Sequence, residues 1–338
     1  MPPWVGTLGP VPHDLLTLPG SDVQIPRLGV GTWAWGDEAT WGMGGYDTDL
    51  TRDSVHDAWD ASIDNGVTLF DTAEVYGGGE SERIIGSFLA ADPGRSSRAV
   101  VATKFMPSPW KLGVHSALLK ALRSSLGRLG LAAVDLYQIH GPISLRSHAA
   151  LANALAAAHG EGLVKAVGVS NYSIKETRSM ARALESHGLP LATNQIEFSL
   201  LRRGPETGGL LAACADLGVI PLAYSPIGQG RLTGKYSAAN PPPGKRTFSN
   251  HPMEMVEKIV DELRRIGDEH GGKLPSQVAL NWVIAKGAVP IPGAKNRHQA
   301  EENAGALGWE LDHEQVARLD RVALPGIRNL SSRVWQHG

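Results

Sequence analysis

Cysteine is almost absent from this chain: Cys214 is the single one among 338 residues. One thiol excludes a disulfide framework and a thiolate-built metal centre, and its setting in the apolar run LLAACADLG reads as a small core residue of a helix. Net charge is nearly absent too, at −2 with 20% charged residues. That balance provides neither the basic field that nucleic acid requires nor the polybasic patch that an anionic membrane attracts. Long apolar runs are also missing. None approaches the ~20 residues of a membrane-spanning helix, and the opening MPPWVGTLGPVPHDLL has no basic stretch followed by an apolar core. The expectation is a cytoplasmic protein that meets a small molecule or another protein, in which the glycosylation triplets at Asn171 and Asn329 carry no meaning.

What is present is alternation. The segment DLLTLPGSDVQIPRLGVGTWAWG places short apolar runs around a Pro-Gly-Ser turn, which predicts a hairpin and then a first buried strand near 28–32. Helical periodicity at 52–65 (Val55, Ala58, Trp59, Ser62, Ile63) ends at Asn65-Gly66, and VTLF follows as a strand. Strands then recur at AVVATKF, VDLYQIH, VKAVGVS, ATNQIEF, VIPLAYSP and AVPIPG, with helical segments between them and further helices near 298–306 and 312–321. Eight short strands alternating with helices predict a parallel sheet closed into a (β/α)8 TIM barrel, preceded by a β-hairpin and followed by additional C-terminal helices. No composition break divides the chain, so residues 1–338 read as one domain. The Pro-rich AANPPPGKR at 238–246 lies in a long loop after the seventh strand, a length that is usually functional or mobile.

One glycine motif misleads. GVGTWA at 29–34 has the G-x-G-x-x-A spacing of a dinucleotide-binding turn, but WGDEATWGMGGYD follows where a helix would have to begin. Gly29 and Gly31 are better read as close backbone approach at the mouth of the first strand.

Barrel chemistry gathers at strand C-termini. Counting the eight strands in order, the second delivers Asp71 with Tyr76 just beyond, the third Lys104, the fourth His140, the fifth Ser170 and Asn171, the sixth Gln195, the seventh Tyr224 and Ser225, the eighth Pro292 and Gly293. Singly, Asp71 could cap a turn, Lys104 could be its structural ion partner, and His140 could be a satisfied core histidine. Together they make a proton-delivery device. A tyrosine titrates near ~10, and an adjacent ammonium lowers that value, so Lys104 is expected to acidify Tyr76. Asp71 would keep Lys104 charged, and a neutral His140 would donate to a substrate carbonyl oxygen.

No side chain donates a hydride, so a nicotinamide cofactor is implied, with Tyr224 as a flat platform and Asn171 and Gln195 as amide partners. A zinc hydrolase would want several ligands at strand ends, where His140 is the only convincing one of twelve histidines. A Schiff-base lyase would need a neutral lysine, which Asp71 opposes.

The segments RLGVGTWAWG, LFDTAEVYGGGESE, ATKF, VDLYQIHGP, VGVSNYS, NQIEFSLL, LAYSPIGQGRLTGKY and VPIPGAKNRHQAEEN, in this order, resemble the aldo-keto reductase superfamily from about 25 to 320. The resemblance implies a catalytic tetrad of Asp71, Tyr76, Lys104 and His140, with Tyr76 as general acid, in an NADPH-dependent oxidoreductase that reduces an aldehyde or ketone. It implies NADPH/NADP+ contacts at Gly31, Thr32, Trp33 and Asp71, at Ser170, Asn171, Gln195 and Tyr224 around the nicotinamide, and at Ser225, Pro226, Leu232, Gly234 and Lys235 along the diphosphate. Gly293, Lys295, Gln299 and Asn303 would take the adenosine end, Lys295 and Arg297 meeting a 2′-phosphate. No metal is implied.

Within the superfamily, GTWAWGDEATWGMGGYDTDL and NWVIAKGAVPIPGAKNRHQAEENAGALGWEL are most similar to the branch containing plant plastid pyridoxal reductases, so pyridoxal joins aromatic and sugar carbonyls as a candidate substrate. The chain ends soon after its last predicted helix, in NLSSRVWQHG, without the long C-terminal loop that shapes substrate choice in many members. Nine tryptophans are many for this length. Trp33, Trp41 and Trp110 fall in loops at the expected mouth and are read, with Tyr76 and His140, as substrate-facing, whereas Trp35 is read as packing. The alternative is a cofactor-sensing regulatory subunit on the same fold, like potassium-channel β-subunits. A homo-oligomer is neither required nor excluded.

Overall fold

The computed structural model describes residues 15–36, 50–111, 113–243, 251–327 and 335–338. Two antiparallel strands come first, β1 (Leu15–Thr17) and β2 (Gln24–Pro26), joined through the Pro-Gly-Ser turn. The barrel follows as β3 (Gly29–Gly31), β4 (Leu69–Asp71), β5 (Val100–Phe105), β6 (Val134–Ile139), β7 (Val164–Ser170), β8 (Thr193–Glu197), β9 (Ile220–Tyr224) and β10 (Val289–Pro290). These eight lie in sequence order in one sheet, every described neighbour parallel. The ring shuts where Gly31 N–H donates to the Pro292 carbonyl at 2.9 Å and Gly31 bridges to Gly293. A Cβ at 31 would stand 2.8 Å from the Ile291 carbonyl oxygen, which is why this seam uses glycine. The predicted barrel and its hairpin are therefore observed.

Helices α1 (Arg52–Asp64), α2 (Glu80–Ala91), α3 (Pro93–Ser96), α4 (Val114–Leu129), α5 (His148–Gly160), α6 (Ile174–Glu185), α7 (Gly204–Thr207), α8 (Leu210–Asp216), α9 (Met253–Glu269), α10 (Pro275–Ala285), α11 (Arg297–Ala304) and α12 (His313–Val322) cover the sheet. Their starts are written in the sequence. Ser173 accepts from the Glu176 amide while Glu176 reaches back to the Ser173 amide, and Asp312 with Gln315 repeats the arrangement on α12. In α1 the spacing Val55, Ala58, Trp59, Ser62, Ile63 puts one buried stripe on the sheet, and Gly66 at φ 78 turns the chain out of the helix. The single-turn helices α3 and α7 were not expected, because one turn is too short to show periodicity.

Inside the barrel, residues two apart on a strand share a face. Toward the strand N-termini that face is apolar: Leu69, Ala102, Leu136, Ala166, Leu222 and Val289 form one buried cluster, plugged by Leu18, Val23 and Ile25 of the hairpin. One step further along the same strands it turns polar, at Asp71, Lys104 and Gln138, all buried. The apolar layer closes one end of the barrel and leaves the chemistry at the other. Cys214 lies in the outer core, its thiol pushed up to about 12 by burial, which keeps it an inert core group.

Candidate active site

Strand register brings the four sequence-predicted groups together at the polar end. Asp71 closes β4, Lys104 sits in β5, His140 follows β6, and Tyr76 heads a 3-10 turn (Tyr76–Gly79) reached through a short loop. That turn needs three successive left-handed residues, and the sequence supplies Gly77, Gly78 and Gly79. It is tied down by hydroxyls: Thr32 and Thr72 both meet Ser81 Oγ, at 2.8 and 2.9 Å.

Lys104 Nζ is wholly buried and donates three ways, to Asp71 Oδ2 at 2.5 Å, to the Thr72 carbonyl at 2.9 Å and to Tyr76 Oη at 3.2 Å. Asp71 Oδ1 accepts from Gln195 Nε2 at 2.7 Å and Gln138 Nε2 at 3.2 Å. The Tyr76 and His140 rings meet edge to face with centroids 5.7 Å apart. A buried ion pair of this kind is tolerated only with its remaining polar atoms satisfied, and here both carboxylate oxygens and all three ammonium protons are engaged.

The electrostatics correct one expectation. Burial pushes the Tyr76 phenol above its ordinary value, and although Lys104 pulls it down, the desolvation wins, with Asp71 adding to the rise. Tyr76 is therefore not acidified on balance; it is held protonated, which is the form a proton donor must have. Burial also opposes charge on Lys104, but Asp71 and Tyr76 together carry the ammonium above its usual range. His140 is driven well below ordinary histidine, first by burial and then by Lys104, so the ring is neutral, and its Nδ1 has no hydrogen-bond partner among the described residues. Lys104 stays cationic, as its pairing with Asp71 predicted.

A cavity of about 330 Å³ opens beside these groups. Of the sequence-predicted cofactor contacts it is lined by Gly31, Thr32, Trp33, Asp71, Ser170, Asn171, Gln195, Tyr224, Ser225, Pro226, Lys235, Gly293, Lys295, Gln299 and Asn303. Three predicted contacts stand apart from the lining: Leu232, fully buried in the outer core; Gly234; and Arg297, half exposed and directed to Asp57 and Glu301. Among the described residues, the three non-glycine ones with left-handed backbone, Asn171, Ser225 and Gln229, all border this one cavity. Such conformations cost of order 1–3 kcal/mol and persist where a site demands them. Tyr224 hydroxyl donates to Asn171 Oδ1 at 3.0 Å, fixing the ring as a wall.

The aromatic predictions divide. Trp33 lines the cavity, whereas Trp35 is a packing residue, buried and donating to the Ala294 carbonyl at 2.8 Å. Trp110 is 79% exposed and outside the cavity lining, so the described structure does not place it against the site. Trp41 lies outside the described residues. One residue that sequence reasoning missed is Trp335. It lines the cavity, its ring 5.5 Å from that of His140, and a Cβ at Gly141 would stand tightly against that ring, at 3.1 Å. Its neighbours pin it there: Gln336 Nε2 donates to Glu197 at 2.5 Å and to Tyr224 Oη at 2.8 Å, His337 pairs with Glu176 at 2.9 Å, and Arg202 donates to the Gly338 carbonyl. A tryptophan near the end of the chain was the only signal, and it has no periodic context.

Among the described residues no helix is long and apolar enough to cross a membrane, and no group of three or more His, Cys, Asp or Glu could hold a metal ion. Comparison with known proteins agrees with the geometry. A model of the aldo/keto reductase family matches residues 27–324. The chain is 36% identical to the chloroplastic pyridoxal reductase of Arabidopsis thaliana over 327 residues, covering 93% of this chain and 87% of that one. Its fold resembles a glycerol dehydrogenase from Gluconobacter oxydans (TM-score 0.78, 29% identity, 95% and 99% coverage). It also resembles an aldo/keto reductase from Klebsiella pneumoniae in complex with NADP and acetate (TM-score 0.68, 27% identity, 92% and 96% coverage). A family model matching residues 27–324, and sequence similarity along almost the whole length, lead to one conclusion: this chain belongs to the aldo/keto reductase family.

Proposed function

We propose that the chain, as one barrel domain, reduces an aldehyde or ketone to the alcohol with NADPH, Tyr76 supplying the proton. The observation that carries this reading is the unbroken contact series from Asp71 through Lys104 to Tyr76 Oη, ending beside a neutral His140 at the cavity. The Klebsiella relative was crystallised with NADP, and the cavity here fits such a group. Gln195 donates one amide hydrogen to Asp71 Oδ1, and its carbonyl oxygen would be the acceptor for a carboxamide. Tyr224 offers a ring-sized wall; Ser225, Gln229 and Thr233 offer polar atoms for a diphosphate; Lys235 and Lys295 offer cations at the rim.

The reduced nicotinamide, when bound, supplies the hydride. The chain's own residues handle the oxygen. Neutral His140 donates its N–H to the substrate carbonyl, polarising it without giving up a full proton. Tyr76 Oη transfers its proton to the same oxygen as negative charge develops there, and Lys104 stabilises the phenolate that remains. Asp71 balances the lysine. Trp33, Met106 and Trp335 give the cavity lining apolar surface that suits a flat carbonyl compound, which makes pyridoxal and aromatic aldehydes the first substrates to try. The pyridoxal reductase relative points the same way.

The test is NADPH consumption over pyridoxal, aromatic aldehydes, keto-sugars and keto-steroids, with Tyr76→Phe beside the wild type. Tyr76→Phe is expected to lose about 10²–10⁴-fold in turnover while keeping NADPH affinity by fluorescence. Wild-type turnover in that variant removes Tyr76 as the acid; silence of the wild type on every carbonyl favours the regulatory alternative.

A further inference from the structure

Asp71 is held by more than its lysine. We propose that Gln138, through Asp71, is a positioning residue for the reduction: it fixes the carboxylate so that Lys104 is presented to Tyr76. The proposal rests on the reading of Tyr76 as acid given above.

Gln138 is wholly buried near the C-terminal end of β6, paired in register with Lys104 of β5 and two residues before His140 on the inward face. Its neighbour one step toward the plugged end, Leu136, belongs to the apolar layer. A primary amide buried there costs stability unless both ends are bonded, and a leucine would avoid that cost. Both ends are bonded. Nε2 donates to Asp71 Oδ1 at 3.2 Å, and Oε1 accepts from Thr193 Oγ1 at 3.3 Å. Gly168 on the next strand makes the space, since a Cβ there would come within 3.0 Å of Gln138 Cγ.

The geometry explains what the amide does. A carboxylate held at one oxygen pivots about its Cβ–Cγ bond, and here Oδ2 carries Lys104 while Oδ1 takes donors from β6 and β8. Two donors from different strands stop the rotation. With Gln138 silent, Lys104 loses alignment and more of the Asp71 charge is left uncompensated. The charged and titratable groups around Tyr76 are Lys104, Asp71, His140 and Tyr224; Lys104 lowers the phenol and Asp71 raises it. Both changes therefore move Tyr76 upward.

The experiment compares wild type, Gln138→Met, which keeps length without a donor, and Thr193→Val, which only releases Oε1. Two readouts are taken: NADPH-dependent reduction of 4-nitrobenzaldehyde, and ultraviolet phenolate absorbance of the cofactor-free protein, with Tyr76→Phe subtracted in each background. Gln138→Met is expected to lower kcat about tenfold, with KM little changed, and to move the Tyr76 titration to higher pH. Thr193→Val is expected to do the same to a lesser degree. A merely structural amide would lower the melting temperature and leave the phenolate titration in place, which overturns the proposal; should Gln138→Met fail to fold, an unmoved titration in Thr193→Val overturns it equally. If the wild type reduces no aldehyde yet the titration moves, the reductase reading fails and the Gln138 contact stands.

Discussion

The floor of the cavity and its rim are built differently. On the floor, Asp71, Lys104, Gln138 and Gln195 sit on strands, are almost completely buried, and bond to one another across the barrel. At the rim, Lys235 and Lys295 sit in loops, the first exposed and the second half-buried, while Arg297 at a helix start and Trp110 in a loop stand further out, clear of the lining and exposed. Strand register fixes position to a fraction of an ångström because every backbone neighbour is bonded, whereas a loop residue is held by few partners. The floor can therefore host a reaction that depends on angles, and the rim can change its ligand without disturbing it.

The sharpest way to break this contrast is Lys104→Met. Removing the cation leaves Asp71 buried and unpaired, so stability should fall by about 3–5 kcal/mol in urea unfolding, along with activity. Adding Asp71→Asn should restore most of the stability and none of the turnover. Equal turnover in the double variant would show that the pair is only structural.

Acid tests the same floor more gently. Because His140 is held below its ordinary value, the unfolded chain binds a proton that the folded chain refuses as pH falls through ~6.5. Its contribution is complete above that pH and declines by about 1.4 kcal/mol for each unit below it, until the depressed folded value is reached. His140→Gln should flatten the slope of melting temperature between pH 7 and 5, and an unchanged slope would contradict the assignment.

Rim variants should have smaller effects. Lys295→Ala should weaken NADPH about tenfold and NADH little, read by fluorescence titration; equal losses would remove its 2′-phosphate role. Trp335→Ala should raise KM for aromatic aldehydes about three- to tenfold with no change for small aliphatic ones. Trp110→Ala, outside the cavity lining, should change either by less than about twofold.

The same contrast governs what could be read from the sequence. Alternating strands and helices, capped by Ser173 or stopped by Gly66, announce the barrel because each local signal agrees with the fold. Asp71, Lys104 and His140 were legible as polar residues ending apolar strands. Gln138 is overshadowed in the sequence by the ionisable His140 that follows it, although the alternation Leu136, Gln138, His140 places it on the same inward face. Trp335 was illegible, since its contact with His140 joins distant parts of the chain. The balance at Tyr76 was misjudged for a related reason: charge is visible in a sequence, but the depth at which a phenol is buried is not. Leu232, Gly234 and Arg297 stand outside the lining, and spacing within a loop says which residues are near a site and not which ones face it.

β10 is two residues long, and beyond it the ring is completed by the Gly31 amide on the Pro292 carbonyl and an isolated bridge from Gly31 to Gly293. Hydrogen exchange should find that amide the fastest of the barrel, opening well before those of β6 and β7, which pair along five positions. Gly293, Lys295 and Asn303 hang from the loose side of this joint, and Gly31 and Thr32 from the other. A dinucleotide spanning both sides would fasten the hoop, so its arrival should slow exchange at Gly31 more than anywhere near the tetrad.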